Sequence, residues 1–440
     1  MVNFTWHFKP LKCIGFCLIL RLRLGGVWVK QLFLDIQQLI TLEAAAKKQG
    51  RQIREEDLSV ISDGAFLVSE EGRILWTGAR KEALKNYSGP DFKMVSLGAQ
   101  TVLPAFLECH THSLFAGERF EEFELRLTGV SYEEISRRGG GIQSTVNATR
   151  QASSEELKKL LQKRIQNFRK QGVGVVEVKS GYGLSLKEEL RLLEVIRSLK
   201  DPLVVPTFLG PHSASPETPN LDEYMEDLIR KGLPEVSKRS LAHRVDIFIE
   251  KGFFTLEQAE RYFKAATDMG FQVAAHVEQL SRQGGADLAR KFKALSVDHC
   301  VNLSDEDIQE LSNSSTTSVL LPSADLYLNV DYPPARKLID QGARVALSTD
   351  FNPGSSPSQS LELCSLLARL KMKMTLPEIF SAWTVGAAFA LGLEKDRGNL
   401  EVGKFADFQV WDKPWSSFFY NFEEIHPRDL YLSGKSVAIS

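Results

Sequence analysis

The chain has eight histidines, and four of them stand where an apolar run ends. "ECHTHS" sets His110 and His112 two residues apart, on the same side of an extended strand. "FQVAAHVEQLSRQGG" brings His276 to the end of another run, with Glu278 and Gln279 behind it. "VDHC" ends at His299 and "STD" at Asp350. One such histidine alone reads as a core residue with a hydrogen-bond partner, and His-x-His alone arises easily by chance. The combination is different. Two same-side imidazoles, a third from another strand and one carboxylate form the N/O ligand set of zinc or a similar divalent ion. We therefore expect His110, His112, His276 and Asp350 to hold one metal, with His299 nearby for proton handling.

The elements that must carry these residues alternate in type. From residue 101 onward, short β-branched runs at 102–112, 173–180, 203–210, 245–250, 272–278, 294–300, 317–322 and 344–350 are separated by longer, helix-like stretches. One of these, "SSEELKKLLQKRIQNFRKQG", opens with a Ser-Ser-Glu-Glu cap and stops at Gly172. Eight such units predict an α/β fold, a (β/α)8 TIM-type barrel over residues 101–397, whose active site would gather at the strand C-termini. Residues 30–100 and 398–440 carry short strands and glycine turns, and predict a small β-sandwich domain built from both chain ends. In residues 1–29, "CIGFCLIL" is too short to span a bilayer and runs into "RLRLGG" without a clean cleavage site. That segment is expected to be an extension outside the fold rather than an export signal.

Strand 4 reads "VDIFIE", with no lysine to be carbamylated between two metals, which favours a single ion. Glu250 at its end either approaches the metal or is buried in an ion pair, and Lys179 at the end of strand 2 has the same two readings. Strand alternation turns Cys109 and Cys300 away from the histidines, as packing residues. Hydrophobic residues make up 43% and charged residues 25%, with a formal net charge of −2. That balance is expected of an ordinary soluble globular protein, with no basic stripe for nucleic acid and no membrane span. Five scattered cysteines suit a reducing, cytoplasmic compartment.

The loops narrow the match. "HTHSLFAGERFEEFELRLTGVSYEEISRRGGGIQSTV", "VEVKSGYGL", "FLGPHSASPE", "EKGFF", "LLPSADLYL", "YPPARKLIDQG", "VALSTDFNPGSSPSQS" and "GNLEVGKFADFQVWD" resemble the imidazolonepropionase family of the metal-dependent amidohydrolases, from about residue 30 to 440. The resemblance implies hydrolysis of 4-imidazolone-5-propanoate to N-formimino-L-glutamate in histidine degradation, one zinc or iron ion, and a homodimer. His110, His112, His276 and Asp350 match the family's metal ligands. Arg119, Tyr182, His212, Asn352, Gly354 and Ser355 match positions that contact substrate or product.

These residue types suit the chemistry. A divalent ion acidifies water for attack on the ring carbonyl, Asp350 can hold or relay the proton, and His299 can hydrogen-bond the developing oxyanion. Arg119 offers a fork for the propionate carboxylate. Without the resemblance, Arg119 among Glu118, Glu121 and Glu122 would read as a surface ion pair, and Tyr182 and His212 as structural loop residues.

The chain departs from the pattern at one position. Gln279 stands where the family's reference segment, His-x-Asp-Glu, has the glutamate proposed as acid/base, and glutamine takes no proton at neutral pH. Three accounts follow. Asp350 and His299 carry the proton while Gln279 orients the ring; or Glu278 takes over through a local shift; or the chain acts on a related cyclic amide. The alternatives to the leading function are another mononuclear amidohydrolase (a deaminase or lactam hydrolase) and a non-catalytic homologue.

Overall fold

The computed structural model describes residues 30–439 apart from 130–133, 135–139, 216, 219 and 422–425. The expected 1–29 extension lies outside the described residues. Seven strands belong to one mixed sheet: β1 (Lys30–Ile40), β2 (Val60–Val68), β3 (Ile74–Ala79), β4 (Phe92–Pro104), then, from the far end of the chain, β14 (Phe408–Trp411), β15 (Asp429–Leu432) and β16 (Lys435–Val437). Their order is β16-β15-β14-β4-β1-β2-β3, with only β1 and β4 parallel. In a flat sheet, β14 and β2 would stand three strand spacings apart, roughly 14 Å. Yet the Phe408 and Phe66 ring centroids are 5.0 Å apart. The sheet therefore rolls over on itself, and its inner face packs Phe33, Phe66, Phe408 and Tyr431 ring against ring as a sandwich would.

The barrel strands are β5 (Phe106–Glu108), β6 (Val173–Lys179), β7 (Val204–Phe208), β8 (Arg244–Val245) with β9 (Phe248–Ile249), β10 (Gln272–Val277), β11 (Ser296–His299), β12 (Thr317–Leu320) and β13 (Arg344–Leu347). All neighbouring pairs are parallel, and β8 and β9 are two pieces of one barrel position interrupted at Asp246. Side chains close the seam between β13 and β5: Ser348 Oγ and the Thr349 amide donate to the Glu108 carboxylate, and the His110 amide donates to Ser348 Oγ at 2.8 Å. This is the barrel architecture anticipated from the strand spacing.

Two expectations need adjustment. The run expected as one strand over 102–112 is divided at Ala105, with β4 in the rolled sheet and β5 in the barrel. Its unbroken apolar character hid the division, because both halves are buried. The strand expected over 245–250 is likewise broken, where Asp246 turns its carboxylate onto the Ile247 amide at 2.7 Å.

The helix Ser154–Lys170 forms where its cap predicted. Ser153 Oγ accepts from the Glu156 amide, and the Glu156 carboxylate accepts from the Ser153 amide. Leu157, Leu161, Ile165 and Phe168 bury its inner stripe at i, i+3 and i, i+4 spacing. Full burial of each contributes roughly 2 kcal/mol. The helix ends because Gly172 takes a φ of +84°, and a Cβ there would meet Gln409 Oε1 of β14 at 2.1 Å. That glycine lets the C-terminus of this helix dock on the rolled sheet.

Candidate metal centre and active-site pocket

The C-terminal ends of β5, β10, β11 and β13 bring His110, His112, His276, His299 and Asp350 together. His110 Nε2 and His112 Nε2 each lie 3.4 Å from Asp350 Oδ1, and His276 Nε2 lies 3.2 Å from His112 Nε2. Four atoms at the corners of a tetrahedron with arms of 2.0–2.1 Å would stand roughly 3.3–3.4 Å apart. These three distances match edges of such a tetrahedron, and His110, His112 and Asp350 lie close enough together to hold an ion. A second observation supports the fit: His110 Nε2 and Asp350 Oδ1 are buried with no hydrogen-bond partner. His299 also lies within ligand range of His110 and His276.

The ring tautomers follow from the carboxylates behind. His110 Nδ1 is 2.7 Å from Asp298 Oδ2, and His276 Nδ1 is 3.1 Å from Asp246 Oδ1. We assign the ring protons to those bonds, which turns both Nε2 lone pairs into the cluster. Burial holds the imidazole pKa values of His110, His112 and His299 well below the ordinary value, with neighbouring cationic and imidazole groups adding to it. Neutral imidazole is the metal-binding form. Burial also pushes the Asp350 carboxyl up to about 7, against the pull of His276 and Lys179. A divalent cation reverses that balance.

Beneath the cluster, Lys179 settles one of the open readings. Its Nζ is 2.8 Å from Glu177 Oε1, 2.7 Å from Asp246 Oδ2 and 4.0 Å from Asp298 Oδ2, and all four side chains are inaccessible to solvent. Burial opposes charge on this lysine, but the carboxylates outweigh it and raise its pKa. Glu177 also accepts from the Thr111 amide at 3.0 Å, and Thr111 Oγ1 donates to the Glu177 carbonyl at 2.6 Å. The residue between the two histidines of "HTH" is thus pinned by the same network. Sequence reasoning singled out none of Glu177, Asp246, Asp298 or Glu108. Their one signal was a carboxylate inside an apolar run.

The strand ends carry unusual backbone. Glu278, His299 and Asp350 have φ of +52°, +77° and +53°, a region that non-glycine residues enter at a cost of order 1 kcal/mol or more. At residue 278 this aims the side chain away from the cluster. The Glu278 carboxylate accepts from the amides of Gln283, Gly284 and Ala286 at 2.6, 3.0 and 3.2 Å. It holds a loop, which argues against a shift that would make it the acid/base. Glu250 is a second loop anchor: Oε2 accepts from the Leu280 and Ser281 amides at 2.9 and 3.2 Å. With Asn302 Nδ2 donating to the Gln279 carbonyl at 2.9 Å, the backbone on both sides of Gln279 is fixed.

Above the cluster is a cavity of about 350 Å³, lined by His112, Arg119, Tyr182, His212, Gln279 and Ser355 among others. The expected substrate-contact residues all reach it. His212 Nδ1 donates to the Gly181 carbonyl at 2.7 Å, and the ring stacks on His112 with centroids 5.1 Å apart. Burial lowers the His212 pKa to about 4, so it is neutral there. Arg119 is held by a residue the sequence offered only as a surface partner: Nε donates to Glu122 Oε2 at 2.9 Å, and Nη2 donates to Oε1. Glu122 also takes the Gly141 amide at 2.7 Å. A Cβ on Gly354 would fall 2.0 Å from Arg119 Nη1, so glycine leaves the guanidinium in place and any larger residue would push it aside. Asn352 has its amide committed within its own loop, donating to the Asp350 carbonyl at 2.7 Å and Ser355 Oγ at 2.9 Å while Oδ1 accepts from the Gly354 and Ser355 amides.

Residues 101–437 match the Amidohydrolase family. The chain is 47% identical over 412 residues to the imidazolonepropionase of Bdellovibrio bacteriovorus, covering 92% of this chain and 95% of that protein. The chain belongs to the imidazolonepropionase family. The imidazolonepropionase of Bacillus velezensis is 39% identical, with 92% of this chain and 96% of that one aligned. Solved structures share the fold at low identity. An adenosine deaminase from Xanthomonas campestris with bound zinc has a TM-score of 0.70 at 17% identity, covering 93% and 92% of the two chains. A putative prolidase from Bifidobacterium longum has a TM-score of 0.63 at 14% identity, covering 94% and 95%. As an imidazolonepropionase-family chain, this protein is a hydrolase with a metal ion and a small-molecule substrate. Among the described residues no helix is long and apolar enough to cross a membrane.

Proposed function

We infer that this chain opens the cyclic amide of 4-imidazolone-5-propanoate by hydrolysis, giving N-formimino-L-glutamate. One observation carries the reading beyond family membership. A cavity of about 350 Å³ has an imidazole–carboxylate cluster at its base and a fixed guanidinium, Arg119, in its wall. That pairs a hydrolytic centre with a counter-charge for a propionate. Fresh imidazolone propionate should lose its ultraviolet absorbance in the presence of the metal-loaded protein. No turnover above background with metal bound would reject the reading.

In this proposal His110, His112, His276 and Asp350 hold one zinc or iron ion. When bound, the ion supplies Lewis acidity, lowering the pKa of water and stabilising negative charge at an attacked carbonyl. Asp350 holds the proton taken from water, and His299 donates toward the oxygen that gains charge. Arg119 and Tyr182 take the carboxylate tail, while His212, Gln279, Gly354 and Ser355 line the ring's berth. Asn352 acts by shaping the loop that presents Gly354 and Ser355. The same reading takes residues 101–397 as the catalytic unit, with 30–100 and 398–440 as its companion, in a cytoplasmic homodimer. The buried, unpaired thiols of Cys109, Cys300 and Cys364 support a reducing compartment.

Two expectations follow for pocket residues. Gln279→Glu should leave turnover unchanged or lower at neutral pH, because Asp350 and His299 already move the proton. Gln279→Met should lose about tenfold in kcat/KM through one lost hydrogen bond of about 1–1.5 kcal/mol. A large gain with Gln279→Glu, accompanied by a new acidic limb in the pH profile, would show that the chain lacks its proton carrier. Glu122→Gln frees Arg119 from its bidentate partner, and KM should rise about tenfold with little change in kcat or metal content. An equal fall in kcat would place Glu122 in the chemical step instead.

A further inference from the structure

A cavity of about 630 Å³ near the barrel seam shares no lining residue with the catalytic pocket. Glu362, in the first turn of the helix Leu361–Leu370, lines it and is only 8% exposed. Its Oε1 is buried without a hydrogen-bond partner, and no salt bridge reaches it among the described residues. The rest of the wall includes five aromatic rings (Phe106, Tyr327, Trp411, Phe418 and Phe419) beside polar side chains and the basic Lys170 and His426.

We propose that this cavity binds a small organic cation, with the Glu362 carboxylate as counter-charge and the aromatic rings as walls. A carboxylate at a helix N-terminus is favoured by the helix dipole, but an exposed side chain gains that equally. The dipole accounts for an acid at this position and not for its burial. Unpaired burial disfavours the charged form, and it pushes the Glu362 carboxyl up to about 7 despite the nearby Lys413. A cationic ligand would restore the ionised form. The walls favour an organic cation over a metal ion, since one carboxylate offers too few ligands for a metal while ring faces attract ammonium and guanidinium groups. The corner already shows this affinity: Lys413 Nζ lies 5.1 Å from the Trp411 ring centroid and 4.8 Å from that of Phe418. The volume is in the range of ordinary small-molecule sites. One short helix, Pro322–Leu328, separates the two chambers, presenting Tyr327 to this cavity and Leu328 to the catalytic one.

The test uses phenethylamine as the cationic probe and phenethyl alcohol as its neutral analogue, titrated calorimetrically into the metal-loaded protein. Saturable millimolar binding of the amine alone, weakened about tenfold or more in Glu362→Gln with turnover retained, is the expected result. Absence of saturation, equal affinity for the alcohol, or unchanged affinity in Glu362→Gln would overturn the proposal. Should the variant fold poorly, a co-crystal of the wild-type protein with phenethylamine decides: its ammonium on the Glu362 carboxylate supports the site. Density elsewhere, or Lys413 paired with Glu362 in its place, rejects it.

Discussion

His276→Ala and Asp350→Ala proteins are expected to purify without their metal and without measurable turnover, while remaining folded. The reason lies in how few donors the cluster has. His112 Nε2 stands 3.2 Å from His276 Nε2 and 3.4 Å from Asp350 Oδ1, so the expected ion is held by three imidazoles and one carboxylate with little redundancy. Removing His276 also leaves Asp246 Oδ1 without the ring it orients. Removing Asp350 takes away the only ligand of opposite charge together with the proposed proton holder. His299 is close enough to His110 and His276 to serve as a stand-in, but it would then be lost to proton transfer. Metal content by atomic emission, read beside the ultraviolet assay, checks the prediction. Full activity in a metal-free preparation would sink the mechanism.

Lys179→Met should have the next largest effect, and it should show in stability as much as in activity. Lys179 sits among Glu177, Asp246 and Asp298, all fully buried. Breaking a buried ion pair by removing one partner costs about 3–5 kcal/mol, because the remaining charges lose their compensation. That is a large share of the roughly 5–15 kcal/mol that holds a typical domain folded. Denaturant unfolding of the metal-free protein measures it. The pH dependence has a definite sign. Burial already raises the Asp298 carboxyl, and loss of Lys179 raises it further. A carboxyl with a folded pKa above its unfolded one binds more protons in the folded state, so the variant should regain stability as pH falls. Metal affinity should drop about 10–100-fold, because Asp246 and Asp298 orient His276 and His110. Stability within 1 kcal/mol of wild type, together with unchanged affinity in a chelator competition, would contradict this account.

Much of the candidate site is legible in the sequence alone. Each barrel strand is a short apolar run, and its last polar residue is where a catalytic group must stand, so His110, His112, His276, His299 and Asp350 could be located by chain position alone. The loop residues Arg119, Tyr182 and His212 were legible only through the family resemblance, since single arginines and histidines in loops carry no local signature. The division at Ala105 was invisible because both halves of the run are buried. Glu122 was named only as one of several acids that would make Arg119 a surface pair. Whether that pair faces solvent or the pocket depends on Gly354, which is more than 200 residues away in the chain.

The sequence by itself determined the barrel, the chain-end sheet, the candidate ligand set and the family, because strand period, cap residues and strand-end positions are local properties of the chain. Tertiary structure alone decided what surrounds those ligands. It set Asp246 and Asp298 behind His276 and His110, put Lys179 between the carboxylates, turned Glu278 onto a loop, and buried Glu362 Oε1 in a cavity wall without a hydrogen-bond partner. The physical reason is that a buried charge is defined by its partners. Which strands and helices become neighbours is a property of the closed barrel, and it cannot be read from any one segment.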